Sequence, residues 1–92
     1  MAVQGTTVLN FGAAPGGTDA SVAVSQPSMT GTEVTSAWVF PQATSDHNSD
    51  EHCVEDLNIV AGVPAAGVGF TIYAYCNTGM AYGQYTVAWV WN

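Results

Sequence analysis

The sequence predicts an all-β protein, a small antiparallel β-sandwich or jelly-roll-like barrel of about six to eight strands. Short stretches of β-branched and aromatic side chains recur along the chain, and clusters of Gly, Pro, Asn or Asp separate them. Apolar side chains nowhere recur convincingly at the helical spacing of about 3.6 residues. The length of 92 residues suits one core, so we treat residues 1–92 as a single β domain.

Six stretches have strand character, and the last is apolar on both faces. Tyr85, Trp89 and Trp91 share one face of that stretch with Val87, and the residues between them are hardly polar. Such a strand is either central in its sheet or in contact with another subunit. The six stretches are approximately residues 6–11, 19–26, 33–40, 53–60, 67–76 and 82–91.

The charge composition excludes whole classes of partner. The chain has no Lys or Arg and seven acidic residues, which give a net charge of −7. Without basic side chains it has no means of neutralising phosphates, so we expect binding neither to nucleic acid nor to an anionic membrane. No apolar run approaches the roughly 20 residues of a membrane helix, and the amino terminus has no secretory signal. We expect folding in the cytoplasm, with Cys53 and Cys76 as thiols and a disulfide as the alternative.

One polar segment, residues 42–52, contains most of the side chains that could bind a ligand or take part in a reaction. It holds both histidines and three of the seven acids. We interpret it first as a solvated loop that keeps the protein soluble and docks on a basic partner surface, or binds a cation. Imidazoles beside carboxylates would make this loop sensitive to pH. Its candidate residues are Asp46, His47, Asp50, Glu51 and His52.

Three sharper interpretations of this segment are weaker. Asp46, Asn48 and Asp50 match the opening of an EF-hand loop, but the required glycine at the sixth position is Glu51. His47 and His52 miss the spacing of an inverted zinc-protease motif by one residue. Paired carboxylates are the only support for a glycosidase-like hydrolase. We therefore predict no metal, no cofactor and no catalytic residue, and hence no enzyme.

From Thr7 to the end, the chain resembles a type of small uncharacterised protein encoded in tailed-bacteriophage genomes. The closing aromatic segment, residues 82–92, is its most distinctive part. The resemblance implies a virion or virion-assembly role and no catalytic residue. A looser similarity to H-type lectin-like sandwiches would instead imply glycan binding. The residues that carry the first resemblance are 8–16 (VLNFGAAPG), 37–39 (AWV), Asp46-His47, Asp50-Glu51-His52, 69–73 (GFTIY) and 82–92 (YGQYTVAWVWN).

The expected function is that of a phage virion structural protein, a capsid decoration or cement subunit that folds in the host cytoplasm and resides in the virion. It would form a homo-oligomer, most simply a trimer, and dock on the major capsid protein or another virion protein. Its interface would use Trp38, Tyr85, Trp89 and Trp91. The alternative is a carbohydrate- or receptor-binding module of a tail or fibre, in which Tyr73, Tyr75 and Tyr82 stack on sugar rings.

Overall fold

The computed structural model describes residues 2–13, 16–54, 56–77 and 79–92. Ala14 and Pro15 of the first predicted turn and Glu55 of the fourth predicted strand lie outside the described residues. Within these residues the chain forms six strands and one short helix, so the predicted small all-β sandwich is confirmed. The elements are β1 (Val3–Asn10), β2 (Asp19–Ser25), β3 (Thr35–Val39), α1 (Ser49–Val54), β4 (Leu57–Ala61), β5 (Gly69–Cys76) and β6 (Gln84–Trp91).

The strands form two three-stranded antiparallel sheets that pack together. The first sheet has the order β1-β6-β3 and the second has the order β2-β5-β4. The two most apolar strands, β5 and β6, are therefore the centres of their sheets. Thr86 and Ala88, which lie between the inward-facing residues of β6, are buried as well, so both faces of this central strand are largely covered.

The core fills the space between the sheets through strict alternation along the strands. On β5, Phe70, Ile72 and Ala74 are buried while Tyr73 and Tyr75 between them are exposed. The largest fully buried side chains join both sheets, and burying each contributes roughly 1.5–3 kcal/mol of stability. They are Tyr85, Leu9, Ile72 and Val87.

A glycine makes room for the largest core side chain. Gly5 of β1 lies opposite Trp89 of β6, and a Cβ built on Gly5 would lie 2.6 Å from the Trp89 indole. The indole therefore covers the Gly5 backbone and packs edge-on against Phe70, with 5.8 Å between the ring centroids. The Trp89 Nε1 atom is buried without a hydrogen-bond partner among the described residues.

The prediction that the polar segment lacks a helix is wrong, because α1 occupies residues 49–54. A capping box starts this helix. The Asn48 side chain accepts a hydrogen bond from the Glu51 N–H, and the Glu51 carboxylate accepts one from the Asn48 N–H, both at 2.9 Å. The predicted fourth strand therefore begins later than expected, at Leu57.

No helix among the described residues is long and apolar enough to cross a membrane.

Candidate functional site

The candidate site forms where β3 ends and leaves one edge of β6, the edge opposite β1, without a strand partner from Thr86 to Gln84. The Phe40 N–H still donates to the Thr86 carbonyl at 3.0 Å. The Phe40 carbonyl, however, turns away across Pro41 and accepts the Gln42 N–H at 2.7 Å. The Thr86 N–H and the backbone groups that precede it on this edge therefore need other partners, because buried backbone groups are costly when unpaired.

The acidic segment, residues 42–52, supplies those partners with side chains. At Gln84, the Asp46 carboxylate accepts the backbone N–H at 2.9 Å, and the Thr44 hydroxyl donates to the backbone carbonyl at 2.9 Å. The same Thr44 hydroxyl oxygen also accepts the N–H groups of Asp46 and His47, each at 3.2 Å. The segment thus covers an exposed sheet edge without being a strand itself.

A glycine lets the segment approach this closely. Gly83 has a φ of +72°, and a Cβ on it would lie 2.7 Å from the Cβ of Asp46. Both the left-handed backbone and the lack of space favour glycine at this position.

His52 replaces the missing strand at Thr86. Its Nε2 atom accepts the Thr86 N–H at 2.9 Å, and its Nδ1 atom lies 2.8 Å from the Asn48 carbonyl oxygen. An amide N–H can only donate and a carbonyl can only accept, so this geometry requires the tautomer with the proton on Nδ1. With 2% of its surface exposed, His52 is part of the interior.

His47 has the opposite hydrogen-bonding arrangement. Its Nε2 atom donates to the Tyr82 carbonyl at 2.6 Å, and its Nδ1 atom lies 3.1 Å from the Glu51 carboxylate. Both partners are acceptors, so the protonated ring, in which both nitrogens donate, matches this arrangement. The ring stacks on Tyr85 with centroids 4.1 Å apart and an interplanar angle of 16°, a geometry that adds a cation–π contact when the ring is protonated. In a chain without Lys or Arg, His47 is thus a side chain that can carry positive charge inside the fold.

The shifts in the pKa values of His47 and Glu51 follow from this geometry. Burial lowers the pKa of His47, but hydrogen bonds to Tyr82 and Glu51 and the charges of Glu51 and Asp46 raise it above its usual value of 6.5. The Asn48 N–H and the His47 ring hold the pKa of Glu51 below its usual value of 4.5. The two groups therefore stabilise each other's charged forms.

Glu33, outside the acidic segment, also uses its carboxylate to accept backbone N–H groups. Glu33 accepts hydrogen bonds from the Thr30 N–H, the Thr30 hydroxyl and the Gly31 N–H at 2.7 to 3.0 Å. These bonds, above all the one from the Thr30 N–H, lower the pKa of Glu33 to about 2 although it stays exposed to solvent. Carboxylates in this chain thus find backbone N–H partners where no basic side chain exists.

The sequence predicts that the acidic segment is a solvated loop, and the structure differs from this prediction at the two histidines. Asp46 and Asp50 are exposed, whereas His47 and His52 are 4% and 2% exposed. Among the described residues, no three His, Cys, Asp or Glu side chains converge in a way that could hold a metal ion. Each ring nitrogen of the two histidines has a hydrogen-bond partner within the fold.

The four predicted interface aromatics separate into two groups. Tyr85, Trp89 and Trp91 lie on the inner face of β6 and fill the core of this chain. Trp38 lies on the outer face of β3 and is 45% exposed. Of the four, only Trp38 is available to another molecule without unfolding the sandwich.

The three tyrosines of the alternative interpretation are all partly exposed. Tyr73 and Tyr75, at 54% and 49%, lie side by side on the outer face of β5. Tyr82 lies on a different part of the surface, beside His47, with 4.8 Å between the ring centroids. The structure therefore brings two of the three together.

The two cysteines are both thiols. Cys53 is exposed near the end of α1, whereas Cys76 is buried at the end of β5. The expectation of thiols is thus met in this structure.

No protein-family model and no curated protein matches the chain.

Proposed function

We propose that this chain is a structural subunit of a phage virion, a capsid decoration or cement protein. It acts as a homo-oligomer, a trimer in the simplest arrangement, that docks on the major capsid protein or another virion protein. In this role it performs no chemistry and stabilises the shell by binding neighbouring proteins.

The observation that carries this proposal is an apolar patch on the outside of an edge strand. Val34, Ser36, Trp38 and Phe40 occupy alternate positions along β3 and its extensions, and the three large hydrophobic residues among them are exposed. Residues at alternate positions lie on one face of a strand. Exposed large hydrophobic residues grouped on one face are typical of protein–protein contacts.

The size of the molecule supports an assembly role. The chain exposes 5058 Å² in total, and a standard interface covers about 800 Å² per partner. One contact would thus cover roughly one sixth of its surface, and small domains gain much of their stability from such contacts.

The experiment combines light scattering after size-exclusion chromatography with co-sedimentation on capsids that lack the protein. We expect an oligomer that sediments with the capsids. Trp38→Ser should reduce both self-association and capsid binding. Met80→Ser is the matched control, since Met80 is 55% exposed in the connection between β5 and β6, where the next residue, Ala81, pairs with Gly17 and not with β3. A stable monomer that stays in the supernatant would contradict the proposal.

A second candidate is a carbohydrate- or receptor-binding module. The adjacent exposed rings of Tyr73 and Tyr75 favour it, because flat aromatic surfaces stack on sugar rings. A glycan array at millimolar ligand tests it, with Tyr73→Ala as the variant that should lose any binding. Absence of every glycan signal would eliminate this candidate.

A further inference from the structure

The outer face of the second sheet carries an aromatic pair with polar side chains directly beside it. Tyr73 and Tyr75 of β5 alternate with buried residues, so both rings lie on the outer face. The strand register places Asp19 of β2 and Asn58 of β4 opposite Tyr75, and Ser21 opposite Tyr73. Cross-strand partners share a face with their Cβ atoms about 4.5–5.5 Å apart.

Asp19, Ser21, Tyr73 and Tyr75 line a cleft of about 550 Å³. Val60, Ala20 and Ala74 complete its lining. No Lys or Arg exists anywhere in the sequence to pair with the Asp19 carboxylate. Among the described residues, Asp19 also takes part in no ion pair. The cleft therefore combines two aromatic faces with a carboxylate that this chain leaves available.

We propose that this cleft binds an arginine or lysine side chain presented by a basic partner protein. A guanidinium or ammonium group over a tyrosine face is attracted by the ring quadrupole. The Asp19 carboxylate adds a charge-assisted hydrogen bond. The net charge of −7 attracts basic surfaces from a distance. A neutral sugar would gain the stacking and could donate hydroxyl hydrogen bonds to Asp19, but it would lack the charge–charge attraction.

This inference rests on the proposed function for the nature of the partner, because the basic side chain belongs to the protein on which the subunit docks. It also gives the second sheet a role of its own. The Trp38 patch lies on the outer face of the first sheet, so the two outer faces can contact different molecules.

The test is a nuclear magnetic resonance titration of the full-length, ¹⁵N-labelled chain with a tetra-arginine peptide amide. We expect shift changes confined to the backbone amides around Asp19, Asn58, Tyr73 and Tyr75. A tetra-citrulline peptide has nearly the same shape but no charge and should cause much smaller changes. Equal changes with both peptides would overturn the proposal.

Matched variants separate the cleft from the overall charge. Asp19→Asn and Asp50→Asn each remove one negative charge, but only Asp19 lines the cleft. Asp19→Asn should weaken peptide binding roughly two- to fivefold, as for an exposed ion pair, and Asp50→Asn should change it much less. Equal weakening by both would show that only net charge matters and would overturn the proposal.

Variants of Tyr75 test the aromatic contribution. Tyr75→Leu should weaken binding roughly two- to fivefold because it removes the ring face. Tyr75→Phe keeps that face and should bind as well as the original chain. If a neutral oligosaccharide such as maltohexaose shifts the same amides more strongly than the arginine peptide, the cleft is a sugar site and the proposal fails.

The peptide titration and the capsid experiment fail independently. Peptide binding in the cleft without capsid co-sedimentation would refute the assembly role and keep the cation site. Capsid binding that survives Asp19→Asn, together with no peptide binding, would refute the cation site and keep the assembly role.

Discussion

The two buried histidines perform different tasks in holding the acidic segment against β6. His52 accepts a hydrogen bond from the Thr86 N–H, which has no partner on β3. His47 bonds to the Tyr82 carbonyl and the Glu51 carboxylate. The two rings meet edge-on, with 6.4 Å between their centroids, and both contact the Tyr85 ring. Both histidines therefore help to hold the acidic segment against β6.

His52→Leu should destabilise the protein by about 1–3 kcal/mol, because it leaves the Thr86 N–H buried without an acceptor. His52→Gln retains an acceptor oxygen and should be less destabilising. Urea unfolding followed by tryptophan fluorescence measures both values. A His52→Leu variant as stable as the original chain would show that water satisfies Thr86, contrary to the arrangement described above.

The His47–Glu51 pair should give a stability contribution that depends on pH. The raised pKa of His47 means that its contribution is complete below 6.5 and disappears as the pH rises through the folded-state value. The lowered pKa of Glu51 means that its contribution is complete above 4.5 and disappears as the pH falls. The pair therefore stabilises the fold most between pH 4.5 and 6.5.

Urea unfolding of the original chain and His47→Gln across about pH 4 to 9, a range that includes the usual pKa values of both groups, measures this contribution. The difference in unfolding free energy between them should be largest in the window between the two usual pKa values and should shrink on the alkaline side. A difference that grows with pH above 7, or one that is constant, would contradict an imidazolium at position 47, since imidazole deprotonates above about 6.5.

At the scale of elements, the acidic segment acts as a substitute for a continued β3. The Gln84 N–H bonds to the Asp46 carboxylate and not to a strand carbonyl. A hydrogen bond to a charged group contributes about 1.5–3 kcal/mol. Asp46→Ala should therefore raise the amide exchange rate of Gln84 by roughly tenfold or more.

Hydrogen exchange followed residue by residue measures this effect. Asp50→Ala is the matched control, because Asp50 lies in the first turn of α1 without a hydrogen bond to β6 among the described residues. It should leave the Gln84 rate unchanged. Equal acceleration by both variants would indicate a general loosening of the segment, and not a specific bond.

The strands were predictable from sequence because they are rich in β-branched and aromatic residues and several alternate, as in Ala20, Val22 and Val24. The helix was missed because its signal is the pair Asn48 and Glu51, a capping box without an amphipathic repeat. That signal is local and could have been found. The pairing of the acidic segment with the edge of β6 could not have been found, because His52 and Thr86 lie 34 positions apart in the sequence. Their pairing depends on where β3 ends, which only the folded chain determines.

At the scale of the whole molecule, the charge distribution should make salt stabilising. All seven charged side chains other than histidine are acidic, and the molecule measures 38 × 20 × 19 Å. The Debye length is about 30 Å at 0.01 M salt and about 10 Å at 0.1 M. The charges therefore repel one another across the fold at low salt and are largely screened at higher salt.

Two unit charges about 15 Å apart in water repel by roughly 0.3 kcal/mol, and a molecule of 38 × 20 × 19 Å is small enough for several such repulsions to act at low salt. Raising sodium chloride from about 0.01 to 0.3 M at pH 7 should thus increase the unfolding free energy by about 1–2 kcal/mol. Asp50→Asn removes one charge from the densest region, so it should raise stability at low salt and flatten this dependence. A protein destabilised by salt would mean that the His47–Glu51 attraction outweighs all the repulsions, and urea unfolding of His47→Gln at both salt concentrations would reveal it.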